Sequence, residues 1–331
     1  RALEHLKLLP CATSIVSLVT PSRRQWAHDS LELKGETLAG FSLKSVARTG
    51  NLELLKWTSG QTKVGGGVWD TDTIAAAAGS GNLEMVKWVL GNKHMWDQDA
   101  IGCSWMNYDH DYYEAYMDTL RSLPDRGKMY TYLCHAAAAR GHLHIVEWLI
   151  ENEPLIMRGY VCVTAAAHGQ LDVVELLWGE YCGNWSAVIC ITALHDATEN
   201  GHLDVVQFLW EKGYRGRSND ALTCDAAKHG HLHVLKWLHE QGCRGDTSTS
   251  FAAAACNQLE VLEWLWKTEC RISKAVFPHA AQCGNLDVLQ FMWPRRESCY
   301  NFTQRTIEFA GDLAESHGHP DVAAWIIENC I

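Results

Sequence analysis

The chain has no Cys-x-x-Cys pair among its 13 cysteines; the closest two, Cys182 and Cys190, stand eight residues apart. That spacing excludes the chelating dipeptide of a zinc ribbon and the redox dipeptide of a thioredoxin-like site, and free thiols in a reducing compartment are the simpler reading. Proline is scarce at 7 residues, charged residues make up only 20%, and apolar residues reach 47%, a balance that excludes a disordered or collagen-like chain. No apolar run approaches the ~18 residues needed to span a bilayer. The mildly apolar stretch from Leu8 to Val19 is interrupted by Pro10, Thr13 and Ser14, which argues against a signal peptide.

Positive charge is also short. Lys and Arg number 28 against 39 Asp and Glu, and the resulting net charge of −11 repels phosphate backbones and anionic lipid heads. Arg23-Arg24 and Arg295-Arg296 have no basic helix around them and read as solvated surface. Neither nucleic acid nor a membrane is expected as a partner.

Catalytic signatures are missing too: there is no Walker loop, HExxH, GxSxG, GxGxxG or EF-hand loop. His239-Glu240 begins like a zincin, but Cys243 stands where the second histidine belongs. His229, His231 and His233 are the densest ligand-like cluster, yet they straddle Gly230 and read as polar residues at a helix junction. No catalytic residue, cofactor or metal is expected, and the chain is not expected to be an enzyme.

What the chain does have is tryptophan, 15 of them, and a phrase that repeats. The phrase is glycine, polar, leucine, acidic, two aliphatics, polar, aromatic. It starts at Gly50, Gly81, Gly141, Gly169, Gly201, Gly230, Asn257, Gly284 and Gly318, nine copies at intervals of 27 to 34 apart from one gap of 60. That gap is close to two periods, so a degenerate tenth unit is expected around Asp111 to Met117. At 331 residues the chain is about twice a ~150-residue domain, and its length then counts repeats.

Each repeat has a physical logic. Alanine-rich runs such as Ala75 to Ala78 and Ala252 to Ala255 precede the glycine and predict a short, closely packing first helix. The glycine ends that helix in a left-handed conformation, and Asn257 is the next most tolerant residue for that place. Acidic residues such as Glu53, Asp204 and Asp321 then open a second helix, where the helix dipole favours them. Apolar positions two, four, five, seven and eight after the glycine cover a wide face, as expected for a helix packed on both sides. The aromatic at seven, Trp57, Trp88, Trp148, Phe208, Trp237, Trp264, Phe291 or Trp325, predicts a repeated core seam, often followed by a further Trp at nine. Cys182, Cys243 and Cys270 share one loop offset and read as small buried packing residues.

The pattern resembles the ankyrin repeat. Thr192-Ala193-Leu194-His195-Asp196-Ala197 closely matches the family's Thr-Pro-Leu-His-x-Ala opening of the first helix, with alanine for proline, and His135 occupies the same slot as His195. Gly201 to Val206 matches the opening of the second helix, and the likeness extends from about residue 41 to 331. Most copies lack Thr-Pro, and tryptophan-leucine replaces the usual paired leucines. The resemblance implies an all-α solenoid of ankyrin-type helix-turn-helix repeats with short or absent β-hairpin fingers, and a structural role for His135 and His195, hydrogen-bonded to backbone between repeats. The expected organisation is a capping or linker segment at 1–40, an array at 41–316 with the degenerate unit near 100–130, and a capping helix at 317–331.

Such solenoids grip a protein or peptide on a concave surface of loop tips and first helices. The candidate contacts are Trp69, Trp96, Trp185, Tyr214, Arg215, Arg244 and Arg271, because aromatics and arginines are the usual interface anchors. The three tryptophans either reach a partner or fold back on their own repeat. The expectation is a monomeric, cytoplasmic or nuclear, non-enzymatic scaffold or adaptor. The alternatives are a substrate receptor of a ubiquitin-ligase or other effector complex, or the repeat region of a larger enzyme.

Overall fold

The computed structural model describes residues 43–59, 69–92, 125–153, 158–181, 187–215, 219–268, 272–295 and 302–330. Every glycine-led phrase becomes the turn of a helix pair. The first pairs are α1 (Leu43–Arg48) with α2 (Leu52–Ser59), α3 (Thr71–Ala78) with α4 (Leu83–Gly91), α5 (Asp125–Ala138) with α6 (Leu143–Asn152), and α7 (Arg158–Ala167) with α8 (Leu171–Tyr181). The remainder are α9 (Ala187–Glu199) with α10 (Leu203–Glu211), α11 (Asn219–Lys228) with α12 (Leu232–Glu240), α13 (Thr247–Ala255) with α14 (Leu259–Lys267), α15 (Val276–Gln282) with α16 (Leu286–Met292), and α17 (Gln304–Ser316) with α18 (Pro320–Cys330). A 3-10 turn, Trp293–Arg295, follows α16. No β-strand occurs among the described residues, and most of the segments between pairs lie outside them.

The chain divides into two compact units. One holds residues 1–165 and 172–181, the other residues 166–171 and 182–331. Within the first, α1 packs on α3 and α3 on α5; within the second, α9, α11, α13, α15 and α17 pack in succession. Alanine makes this close approach feasible: Ala76, Ala77 and Ala78 of α3 and Ala253 and Ala254 of α13 are buried. Caps fix where first helices begin. Asp70 accepts from the Thr73 amide at 2.8 Å, and Asp246 and Thr249 form a reciprocal capping box at the start of α13.

The turns end the helices as the sequence predicts. At Gly201, φ is +79°, its amide donates to the Thr198 carbonyl at 3.2 Å, and the His202 amide reaches back to Ala197 at 2.9 Å. This closes the orphan carbonyls of α9 with the doubled bond of a Schellman turn. Asn257, at φ +54°, is the only non-glycine with positive φ among the described residues.

One expectation is corrected. The fully buried positions of the second helix are four, five and eight after the glycine: Val205, Val206 and Leu209, then Val234, Leu235 and Leu238, then Val261, Leu262 and Leu265. The aromatic at seven is half-buried in Trp57, Trp88, Trp148, Phe208, Trp237, Trp264 and Trp325; only Phe291 is buried. At 3.6 residues per turn, positions four, five and eight fall within an arc of about 100°, while seven lies about 100° from its centre. The tryptophans therefore flank the core. There they contact neighbouring aromatics: Trp210 meets Trp237 edge-on at 5.6 Å, and His239 meets Trp264 at 5.3 Å. An indole suits such a place, since its ring covers apolar surface while its N–H meets water.

The expected degenerate unit at Asp111 to Met117 lies outside the described residues, as do 1–40. The layers on either side of it are in direct contact. His142 Nε2 donates to the Gly79 carbonyl at 3.1 Å and His144 Nε2 to that of Gly81 at 3.2 Å, so α5 and α6 stack immediately on α3 and α4.

Candidate interaction surfaces

Two kinds of polar residue distinguish one turn from the next: those that latch repeats together, and those that point outward from the loops. The latch uses the residue directly after the glycine. His202 Nε2 donates to Ala167 at 3.2 Å, His231 to Glu199 at 2.8 Å, Gln258 to Lys228 at 3.3 Å, and Asn285 to Ala254 at 2.6 Å, each acceptor being a carbonyl near the end of the preceding first helix. In the first unit Asn82 does the same to Gly50 at 2.8 Å. Carbonyls at a helix end have no partner within the helix, so each latch satisfies an orphan acceptor across a repeat boundary. His202, His231, Gln258 and Asn285 sit at the N-cap yet cap nothing with their side chains, which are turned to the neighbour instead.

The Gly-His-Leu-His copies carry a second latch. His233 Nε2 donates to the Gly201 carbonyl at 2.8 Å, parallel to His144 on Gly81. The cluster at Gly230 is thereby distributed over separate carbonyls, since His229 Nδ1 meets its own helix at Asp225 O, 3.1 Å away. Among the described residues no three His, Cys, Asp or Glu side chains converge as a metal-ligand group. Sequence reading assigned the polar position after the glycine no role; the recurrence of His, Asn and Gln there, all able to donate, was the available signal.

His135 and His195 bridge first helices of adjacent repeats, as the family likeness implied, each through a side chain of the next repeat. His135 Nδ1 lies 2.6 Å from Thr164 Oγ1, and His195 Nδ1 lies 2.6 Å from Asp225 Oδ2. Burial pushes the His135 imidazole down to about 3, so it is neutral near pH 7. Asp196 is pushed up to about 7, first by burial and then by the charge of Glu199, with Asp225 adding to the rise and His195 opposing it.

The loop candidates divide. Trp69 is corrected: it is 0% exposed, with its ring 5.1 Å from that of Trp88, so it packs within its own repeat and cannot meet a partner. Arg215 and Arg244 are exposed and Tyr214 is half-buried. The Arg215 guanidinium lies 4.3 Å over the Trp210 ring and donates to the Trp210 carbonyl. Trp96, Trp185 and Arg271 lie outside the described residues, as do Cys182 and Cys270, whereas Cys243 is buried as expected.

Paired helices joined by a tight left-handed turn and stacked first helix on first helix define a helix-turn-helix repeat array. A family model described as ankyrin repeats (3 copies) matches residues 133–220 and 163–249, about a third of the chain. Over residues 133–249 the chain is thus similar to ankyrin repeats. No curated protein matches it. Ankyrin repeats are generally protein–protein interaction modules and typically non-catalytic. No described helix is long and apolar enough to cross a membrane.

Proposed function

We propose that the array is a non-enzymatic scaffold or adaptor that holds a partner protein or peptide on its loop tips and first helices, with Tyr214, Arg215 and Arg244 among the contacts. One observation carries this reading: Arg215 and Arg244 are exposed at the same place in consecutive repeats, fourteen residues after Gly201 and Gly230, and Arg271 stands at that offset from Asn257. A guanidinium recurring at one offset, in a chain of net charge −11, suits a partner that presents carboxylates in series. Stacking on Trp210 supports the reading for Arg215, because an already ordered side chain loses less freedom on binding. Trp96 and Trp185 are proposed contacts of the same kind. The chain is placed in the cytoplasm or nucleus as a monomer, and the compartment accords with Cys134 and Cys243, both buried as free thiols.

The test replaces Arg215, Arg244 and Arg271 together by alanine and compares what the parent and variant chains capture. Loss of captured protein with an unchanged melting curve is expected. Recovery of the same partners in the same amounts excludes this surface.

A further inference from the structure

The loops that carry Arg215 and Arg244 leave their second helices by the same turn. Gly213 and Gly242 stand at φ +95° and +91°. The next amide in each, Tyr214 or Cys243, reaches back to the carbonyl five residues before it, Leu209 at 3.3 Å or Leu238 at 3.0 Å. The two guanidinium groups therefore start from matching backbone positions in consecutive repeats. They also share one surface. Burial pushes the Cys243 thiol up and the Arg215 charge opposes that rise, so Arg215 lies close to the residue that precedes Arg244. Behind them the repeats are in contact, since the Trp210 ring beneath Arg215 meets Trp237 of the following second helix.

Both groups are exposed, and neither forms an ion pair among the described residues. Arg215 donates from Nη1 to the carbonyls of Trp210 and Tyr214, which leaves the rest of its fork of donors for a ligand. Helices packed in succession are set about 8 to 10 Å apart, so matching loop positions advance by about that step. A ligand that places one carboxylate on each arginine must repeat at the same interval. In a β-strand, side chains on one face recur at about 7 Å or about 13 Å, and neither fits. An α-helix returns a side chain to one face at about 10 Å, but two contacts then need about eight residues, a length at which an isolated helix does not hold. A polyproline II chain brings every third side chain to one face at about 9 Å, needs only about four residues, and is already formed in solution.

We infer that Arg215 and Arg244 together bind an acidic peptide in the polyproline II conformation, whose carboxylates recur every third residue and lie one on each guanidinium. This rests on the reading of the two arginines as partner contacts, and adds the spacing and conformation of what they hold. Charge selects a peptide over nucleic acid. At −11 the chain repels a long phosphate backbone, whereas two carboxylates on a short peptide meet only the local pair of cations.

The probe is a fluorescein-labelled peptide of repeated glutamate-proline-proline units, titrated by anisotropy against the full chain at low ionic strength. A companion peptide has the same composition with its glutamates adjacent, and a third is an α-helical peptide with glutamates seven residues apart. The periodic peptide is expected to bind at least tenfold more tightly than either. Combined Arg215→Ala and Arg244→Ala should weaken it at least tenfold, while Lys236→Ala, on the exposed side of α12, leaves it within twofold. All altered side chains are exposed, so unchanged melting curves are expected and check the fold. Equal binding of the two proline peptides, or tighter binding of the helical one, overturns the inference and leaves the arginines as partner contacts of another kind. Failure of every peptide to bind, while the triple arginine variant still loses its captured protein, does the same. Retained affinity in the double alanine variant overturns the inference and the arginine surface together.

Discussion

The turns at Gly201 and Asn257 end their first helices with the same sign of φ, yet they tolerate different residues, and the reason lies in the following repeat. A methyl group placed on Gly201 would sit 2.6 Å from His231 Nδ1, inside any real contact distance, because the His231 ring reaches across the turn to the Glu199 carbonyl. Over Asn257 the reaching residue is the shorter Asn285, which meets the carbonyls of Ala254 and Ala255 and leaves room for a side chain. Glycine at Gly201 is therefore needed twice, for its backbone conformation and for the space above it. At 257 only the conformation is demanded, and asparagine meets that demand.

The largest effect should not separate the two turns. Leu209→Ala and Leu265→Ala each remove a buried side chain eight residues after the turn and should each cost about 3 kcal/mol in denaturant unfolding. Trp264→Ala, next to Leu265 but half-buried, should cost less than Leu265→Ala despite its greater volume; a larger loss would restore tryptophan as the core seam. The turns separate at the next level. Gly201→Asn should cost roughly 2 to 3 kcal/mol, combining strain with a displaced latch, whereas Gly318→Asn, with nothing within 4 Å of its added carbon, should cost about 1 kcal/mol or less. Equal losses would mean that backbone strain alone governs these positions.

Acidity separates the turns further. Asp196 lies five residues before Gly201, where the repeat of Asn257 has Ala252. Below about pH 4 both the folded and unfolded chains hold the Asp196 proton, so it contributes nothing to stability. Between about pH 4 and its raised value of about 7 only the unfolded chain releases the proton, so stability falls as pH rises and levels off above 7. Asp196→Asn should then stabilise the chain by roughly 1 to 3 kcal/mol at pH 8 and by almost nothing at pH 4, read from unfolding midpoints. A gain independent of pH would contradict the assignment.

Much of this architecture was legible in the sequence because its causes are local. Alanine runs, left-handed glycines and acidic first turns act within a few residues, and they placed the turn inside each described helix pair, though not the left-handed glycines Gly213 and Gly242 that follow second helices. The tryptophans misled because periodicity marks which residues share a line on a helix, not how far that line lies from the centre of the buried arc. The latch was missed for a different reason. His202, Gln258 and Asn285 act on carbonyls 30 to 35 residues away, and nothing in their own neighbourhood distinguishes them from solvated polar residues. Trp69 was ambiguous for the same reason, its partner Trp88 lying in the second helix of the pair.

The central claim is that the residue after one turn dictates what the preceding turn can hold, and a double-mutant cycle on Asn257 and Asn285 tests it most directly. Asn285→His alone should cost about 1 to 2 kcal/mol, because the imidazole meets the Asn257 side chain, and Asn257→Gly alone should change stability by only a few tenths. Together they recreate the Gly201–His231 arrangement and should recover most of the loss, a coupling of at least about 1 kcal/mol. Additive effects, with no recovery in the double variant, would contradict it.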